Sequence, residues 1–244
     1  MNKKTVLITG ISRGLGKELA LHFSKNDWNV CGCYKTNKPD FFAVRHCEDE
    51  GRSNPEILSF QADISDPEEA ASFINKAQGA FGNIDCVINN ASIGKNKIIF
   101  KENADNWNDV IQTNLNGTFY VIKETLEIMA KQRYGSIINI SSISAYKSYT
   151  GAASYSAGKA AVIALTKTAA REAGRFGITV NAVLPGFHAT ALGNSAGDKY
   201  IEEIKQESVL KTTTDIKEFL DFVFMLSQMK TVSGQVFNID SRII

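Results

Sequence analysis

A doubly wound α/β fold, with helices on both faces of a parallel sheet of about seven strands, is what this sequence predicts. Three observations carry that expectation. Short apolar, β-branched runs alternate with stretches of helical period along the chain. The middle runs are almost continuously apolar, as strands buried on both faces of a parallel sheet must be. The first run ends in a glycine-rich turn that leads straight into a helix. No internal repeat or linker interrupts the alternation, so residues 1–244 are expected to form one domain.

Composition narrows the class. Hydrophobic residues make up 43% of the chain and charged residues 22%, which excludes disorder as its main state. Lys and Arg number 27 against 26 Asp and Glu, and a formal charge of +1 offers no footprint for nucleic acid. No apolar run reaches transmembrane length, and the first apolar stretch is shorter than a signal-peptide core. A cytoplasmic protein without membrane contact is therefore expected. Cys31 and Cys33 share one face of an expected strand, Cys47 and Cys86 lie apart, and His22, His46 and His188 are scattered. This spacing gives no metal-ligand set, so buried free thiols are the expectation.

Taken in order, Thr5–Thr9 is the first strand, and Leu15, Leu19 and Phe23 mark the helix after it. The turn between them supplies Gly10, Ser12, Arg13, Gly14, Leu15 and Gly16 as candidate phosphate contacts. Glycines let the backbone approach a dinucleotide pyrophosphate, and the helix N-terminus offers free amides and partial positive charge. Glycine turns also serve as plain tight connections. Position as the first strand-to-helix turn favours the binding reading.

Asn29–Tyr34 is the second strand, and no acid occurs among Tyr34, Lys35 and Thr36. An acid there would bind the ribose hydroxyls of the unphosphorylated cofactor, whereas a basic residue accommodates a 2′-phosphate. Arg13 and Lys35 are accordingly expected to converge on that phosphate and select NADP; the plainer alternative is two solvated surface charges. Residues 36–56 are polar and read as a loop and a helix.

Ile57–Gln61 is the third strand. Asp66 caps the following helix with Pro67 in its first turn, while Asp63 and Ile64 stand at the strand end where an adenine would lie. Residues 84–88 form the fourth strand, running into Asn89-Asn90-Ala91-Ser92. The amides there either cap a turn or brace a cofactor ribose, with Asn90 and Ala91 as the candidate contacts. A helical region spans residues 104–132. Asn114 near its middle competes for backbone hydrogen bonds, which suggests a bent, water-holding site.

Residues 136–140 form the fifth strand, and Ser142 beyond its end is positioned to donate to a substrate oxygen, though serines there also form turns. Residues 178–183 form the sixth strand and lead into Pro185, Gly186, Phe187 and Thr190. The poorly patterned residues 187–214 are expected to make a substrate lid. An amphipathic helix over residues 215–228 and a seventh strand over residues 235–239 complete the chain.

Tyr155 and Lys159 lie four apart in an Ala-rich helical segment and therefore share a face. A cation at roughly 4 Å contributes about 4 kcal/mol at an effective dielectric of about 20. At about 1.36 kcal/mol per pKa unit, Lys159 would pull the phenol from about 10 down to about 7 as an upper bound. That is the range of a general acid and base.

TGISRGLG from Thr9, NNA from Asn89, Asn114, Ser142, YSAGK from Tyr155 and PGFHAT from Pro185 occur in one order over essentially the whole chain. In these motifs the sequence resembles the short-chain dehydrogenase/reductase family, with its Rossmann-type fold. The resemblance implies a catalytic group of Asn114, Ser142, Tyr155 and Lys159. Ser142 would hold a carbonyl oxygen, Tyr155 would give or take the proton, Lys159 would lower its pKa and bind the nicotinamide ribose, and Asn114 would hold a water behind Lys159. Pro185, Gly186 and Thr190 would meet the nicotinamide amide of NADP(H). Homo-tetramers or homo-dimers built on the long helices are common in the family.

Within the family, Arg133 and the PGFHAT run look most like the 3-oxoacyl-carrier-protein reductases. Three features depart from the pattern: Ser92 stands where the family often has glycine, Asp240-Ser241-Arg242 replaces a D-G-G stretch, and Phe176 replaces a second basic residue. Ile93, Ile143, Tyr149 and Phe187 would shape a mostly apolar pocket. The implied activity is an NADP-dependent oxidoreductase of the carbonyl reductase or alcohol dehydrogenase type, interconverting a ketone and a secondary alcohol. A 3-oxoacyl thioester on acyl carrier protein is its candidate substrate. The rival is a catalytically idle NADP-binding sensor or scaffold, against which the intact Ser142, Tyr155 and Lys159 argue.

Overall fold

The computed structural model describes residues 3–40, 57–147, 149–188 and 198–244. Seven strands form one sheet: β1 (Thr5–Thr9), β2 (Asn29–Tyr34), β3 (Ile57–Gln61), β4 (Cys86–Asn89), β5 (Gly135–Ile140), β6 (Ile178–Leu184) and β7 (Val236–Asn238). Their order is β3-β2-β1-β4-β5-β6-β7, and every pairing is parallel. All carboxyl ends therefore finish on one rim. The order reverses between β1 and β4, which opens the crevice where such sheets bind ligands.

Alternation along the strands divides the core. Leu7, Val87, Ile137 and Val180 pack with Phe73, Val121 and Met129, on the side of helices α2 (Pro67–Phe81) and α4 (Gly117–Gln132). Val6, Ile8, Ile88 and Ile138 face the other way, onto Leu19 and Phe23 of α1 (Gly14–Lys25) and Phe219 and Val223 of α7 (Ile216–Gln228). Side chains two apart share a sheet face, so the central strands carry apolar residues on both faces, and the buried asparagines among them, Asn89, Asn139 and Asn181, are hydrogen-bonded. Cys31, Cys33 and Cys86 are buried free thiols.

Local signals act as expected at helix starts. The Asp66 carboxylate accepts the Glu68 and Glu69 amides at 2.8 and 3.0 Å, and Pro67 opens α2. Asp215 caps α7 by accepting the Lys217 amide at 2.8 Å.

The structure corrects other boundaries. The helical region over 104–132 is broken into α3 (Ala104–Ile111), a π turn at Gln112–Asn116, and α4. The expected lid contains a helix, α6 (Asp198–Glu207), that the polar sequence did not signal. The rest of that lid, and residues 41–56 of the expected loop and helix, lie partly or wholly outside the described residues. Among the described residues no helix is long and apolar enough to cross a membrane.

Candidate active site and cofactor cradle

The turn after β1 is built for close approach. Gly10 and Gly14 adopt φ of +72° and +59°, where side chains are strained. A Cβ on Gly16 would stand 2.2 Å from the Gly10 carbonyl oxygen. Asn90 braces this turn: its Nδ2 donates to the Thr9 and Gly10 carbonyls at 3.0 and 3.1 Å. Thr9 Oγ1 accepts the Asn90 and Ala91 amides, each at 3.0 Å. Of the two readings for Asn90, the structure shows its side chain bracing the turn. Arg13 stands at the N-cap of α1 with no side-chain cap, and the first turn carries no acid. A glycine cradle beneath an uncapped helix N-terminus fits a pyrophosphate.

The end of β2 lies beside this cradle, because the Cys33 carbonyl accepts the amides of both Gly10 and Ile11 at 3.0 Å. Lys35 does not reach toward Arg13 as expected; its Nζ pairs with Asp63 Oδ2 at 2.5 Å. Asp63 offers a largely covered carboxylate whose other oxygen accepts the Ser65 amide and hydroxyl at 3.0 and 2.6 Å. Burial pushes the Asp63 pKa up, but the hydrogen bonds from Lys35 and Ser65 outweigh it and hold the carboxyl below its ordinary value. Asp63 is thus engaged by Lys35 and Ser65 at the strand end where an adenine acceptor is expected. The side chains of Leu15 and Ile64 pack into the core, which leaves only their main chains for a cofactor.

The structure brings the expected catalytic residues together behind the rim. Tyr155 and Lys159 lie one turn apart on α5 (Ala153–Ala173). Ser142 begins a short 3-10 turn after β5, its Oγ accepting the Ser144 amide at 3.1 Å. The Ser142 hydroxyl lies near enough to the Tyr155 phenol to favour its ionised form, while in this structure it bonds the Ser144 hydroxyl at 3.2 Å. Ser92 Oγ is buried without a partner in good hydrogen-bond geometry, yet lies near enough to the same phenol to favour its ionised form.

Electrostatics here overturn one expectation. Burial raises the Tyr155 pKa above its ordinary value; the Ser142 and Ser92 hydroxyls oppose the rise without cancelling it, and Tyr200 adds to it. Lys159 does not pull the phenol down, because its Nζ lies 5.8 Å from the ring centre and donates instead to the Ile140 carbonyl at 2.7 Å. Burial depresses Lys159 itself from 10.5 to about 8. The Ser141 hydroxyl fastens this part of α5 to β5 by donating to the Lys159 carbonyl at 2.9 Å.

Asn114 is fully buried in the π turn. Its amide is committed twice to Ile93, accepting the main-chain N–H and donating to the carbonyl, both at 2.9 Å. This side chain pins the segment after Ala91.

On the far side, Pro185 and Gly186 follow β6, and Gly186 has φ of +79°. His188 Nε2 lies 2.6 Å from the Pro185 carbonyl and stabilises that turn. Thr190 lies outside the described residues. At the start of α5 a cavity of about 300 Å³ opens, lined among others by Ile98, Ile99, Tyr149, Ala152 and Ser156; Tyr155 is not part of its lining. Of the expected pocket residues only Tyr149 lines it. Ile93 is tied to Asn114, Ile143 is buried, and Phe187 stacks edge-on against Tyr200 at 5.8 Å between ring centres. Sequence reading missed Tyr200, an aromatic on a short, mostly charged helix whose apolar residues besides it are Ile201 and the buried Ile204, and Ile98 and Ile99, an apolar pair outside any strand.

Comparison with known proteins agrees with this geometry. The family model described as short chain dehydrogenase matches residues 4–201. A 3-oxoacyl-[acyl-carrier-protein] reductase of Staphylococcus epidermidis is 35% identical over 97% of both chains. One from a Synechocystis species is 31% identical over all of this chain and 98% of its own. Among solved structures, ElxO with NADP bound matches with a TM-score of 0.86 and 32% identity over 98% of each chain. Levodione reductase matches at 0.89 with 28% identity over 98% of this chain and 96% of its own. With an ordered set of motifs folded onto the rim of a parallel sheet, and a family match over most of its length, this chain belongs to the short-chain dehydrogenase family.

Proposed function

We propose that the protein reduces a ketone to a secondary alcohol, and catalyses the reverse oxidation, using NADP(H). The observation that carries this is the buried Tyr155 phenol beside the Ser142 hydroxyl, with Lys159 one turn behind it. Ser142 holds the carbonyl oxygen and Tyr155 delivers a proton to it. A phenol whose pKa is raised stays protonated at neutral pH, the form a reduction needs. Lys159 contacts the nicotinamide ribose, and Asn114 keeps the segment after Ala91 in place through Ile93. When bound, NADPH supplies the hydride, while the residues around it fix distance and face.

Cofactor choice rests on the missing acid after β2, with Lys35 and exposed Arg13 beside the cradle. The phosphorylated cofactor of ElxO supports the same reading. A 3-oxoacyl thioester carried on acyl carrier protein is the favoured substrate, on the names of relatives aligned over nearly the full chain and the mostly apolar cavity at the start of the helix that carries Tyr155. The chain acts as one domain, with α6 as part of its lid, in a homo-dimer or homo-tetramer.

NADPH consumption against acyl-thioester, sugar, steroid and quinone-like carbonyls tests the proposal, with Tyr155→Phe as the blank. Turnover of an acyl thioester by the parent alone is the expected result. Equal rates in parent and variant would overturn the role of Tyr155.

A further inference from the structure

Arg242 and Asp240 are both buried, their side chains only 4% and 5% exposed. The guanidinium grips Asp240 Oδ2 through Nε at 2.7 Å and through Nη2. Asp240 Oδ1 accepts the Arg242 amide at 2.9 Å, and Asn238 Nδ2 donates to the Arg242 carbonyl at 3.0 Å. An ion pair so enclosed loses much of its attraction to desolvation, so stability alone is a weak reason for it. Its outward connections are more telling. Arg242 Nη1 donates to the Tyr149 hydroxyl at 3.3 Å, and Tyr149 lines the cavity at the start of α5, the helix that carries Tyr155. Ser241, between the two charges, bonds through Oγ to Ser208 Oγ and through its carbonyl to the Val209 amide at 3.2 Å.

Ser208 and Val209 directly follow α6, and α6 carries Tyr200. Tyr200 is close enough to bear electrostatically on both Tyr149 and Tyr155. Tyr149 and α6, which carries Tyr200, are thus both tied to the same three residues after β7. None of the glycine-turn residues takes part in this network.

We infer that Asp240-Ser241-Arg242 is a positioning element of the substrate mouth, setting Tyr149 and α6 against Tyr155 and so governing which carbonyl compounds fit. The inference rests on the carbonyl-reductase reading of the site. The residues act through Tyr149 and α6 and touch neither cofactor nor reacting atoms.

Its test compares Tyr149→Phe, the paired change Asp240→Asn with Arg242→Gln, and the triple variant. The paired change avoids stranding one buried charge. For the best carbonyl substrate, Tyr149→Phe and the paired change are each expected to raise KM at least about fivefold, with kcat and NADPH affinity within about twofold. The triple variant is expected to be no worse than the paired one, because the Tyr149 hydroxyl has by then lost its donor. The paired change is also expected to speed amide hydrogen exchange in residues 198–210, and Tyr149→Phe is not. Unchanged KM, or parallel losses in kcat and NADPH affinity, would overturn the inference. If the paired variant does not fold, Tyr149→Phe decides alone by the same KM criterion. If the parent turns over no carbonyl, the functional reading fails, and hydrogen exchange still decides the tether: unchanged exchange in the paired variant overturns it.

Discussion

Lys159 Nζ donates to the Ile140 carbonyl at 2.7 Å and stands 5.8 Å from the centre of the Tyr155 ring. Its ammonium is held by β5 and not by the phenol that its helical spacing brings near. The burial that accompanies this bond depresses Lys159 to about 8, and from this a stability test follows.

Protonated Lys159 is disfavoured in the fold, so below about 8 the folded chain carries a cost that the unfolded chain lacks. Between about 8 and the ordinary 10.5 the unfolded chain binds more protons, and stability contributed by this group rises with pH. The span corresponds to roughly 3 kcal/mol at about 1.36 kcal/mol per unit. Lys159→Met is expected to lose activity, and its stability relative to the parent is expected to decline as pH rises through that window. Urea unfolding of both proteins at pH values across the window measures this; parallel curves would contradict it.

Tyr155→Phe removes the proton donor while leaving a ring of nearly the same shape in place. Turnover is expected to fall by about a thousandfold or more, with NADPH affinity within about threefold. Single-turnover kinetics and fluorescence titration with NADPH separate the two.

Gly16→Ala places a Cβ 2.2 Å from a main-chain oxygen that has no freedom to rotate away. The turn must open, so NADPH binding is expected to weaken by at least about tenfold. Isothermal titration reads the loss, and circular dichroism checks that the sheet remains.

Asp63→Asn removes the charge that holds Lys35 in its 2.5 Å pair. With Lys35 released, the preference for NADPH over NADH is expected to rise, while Lys35→Ala is expected to reduce it by about tenfold. Any loss of an adenine contact would affect both cofactors alike, so the ratio of their affinities is the measurement that matters. A ratio unchanged in both variants would remove Lys35 from cofactor selection.

Much of the fold was legible because a parallel sheet buried on both faces leaves continuous apolar runs, as at Val6, Leu7 and Ile8. The cradle was legible too, since a side chain at Gly10 or Gly16 would collide with the main chain around it. What escaped depended on side-chain direction and competition between partners. Spacing placed Lys159 beside Tyr155 but could not show that the Ile140 carbonyl would win its ammonium. Nor could it show Asp63 capturing Lys35, or Asn90 and Asn114 spending their amides on neighbouring backbone. Tyr200 was hidden because α6 is polar on most of its surface, and one aromatic ring gives no periodic signal.

The π turn at Gln112–Asn116 carries one residue more than a regular helix needs. Deleting a single residue there would let α3 and α4 run on as one unbroken helix, improving the local geometry by ordinary folding criteria. The same repair would turn Asn114 about 100° around the helix axis and away from Ile93. In mutational terms, the irregular stretch is a site where a gain in local regularity is expected to cost the clamp between Asn114 and Ile93.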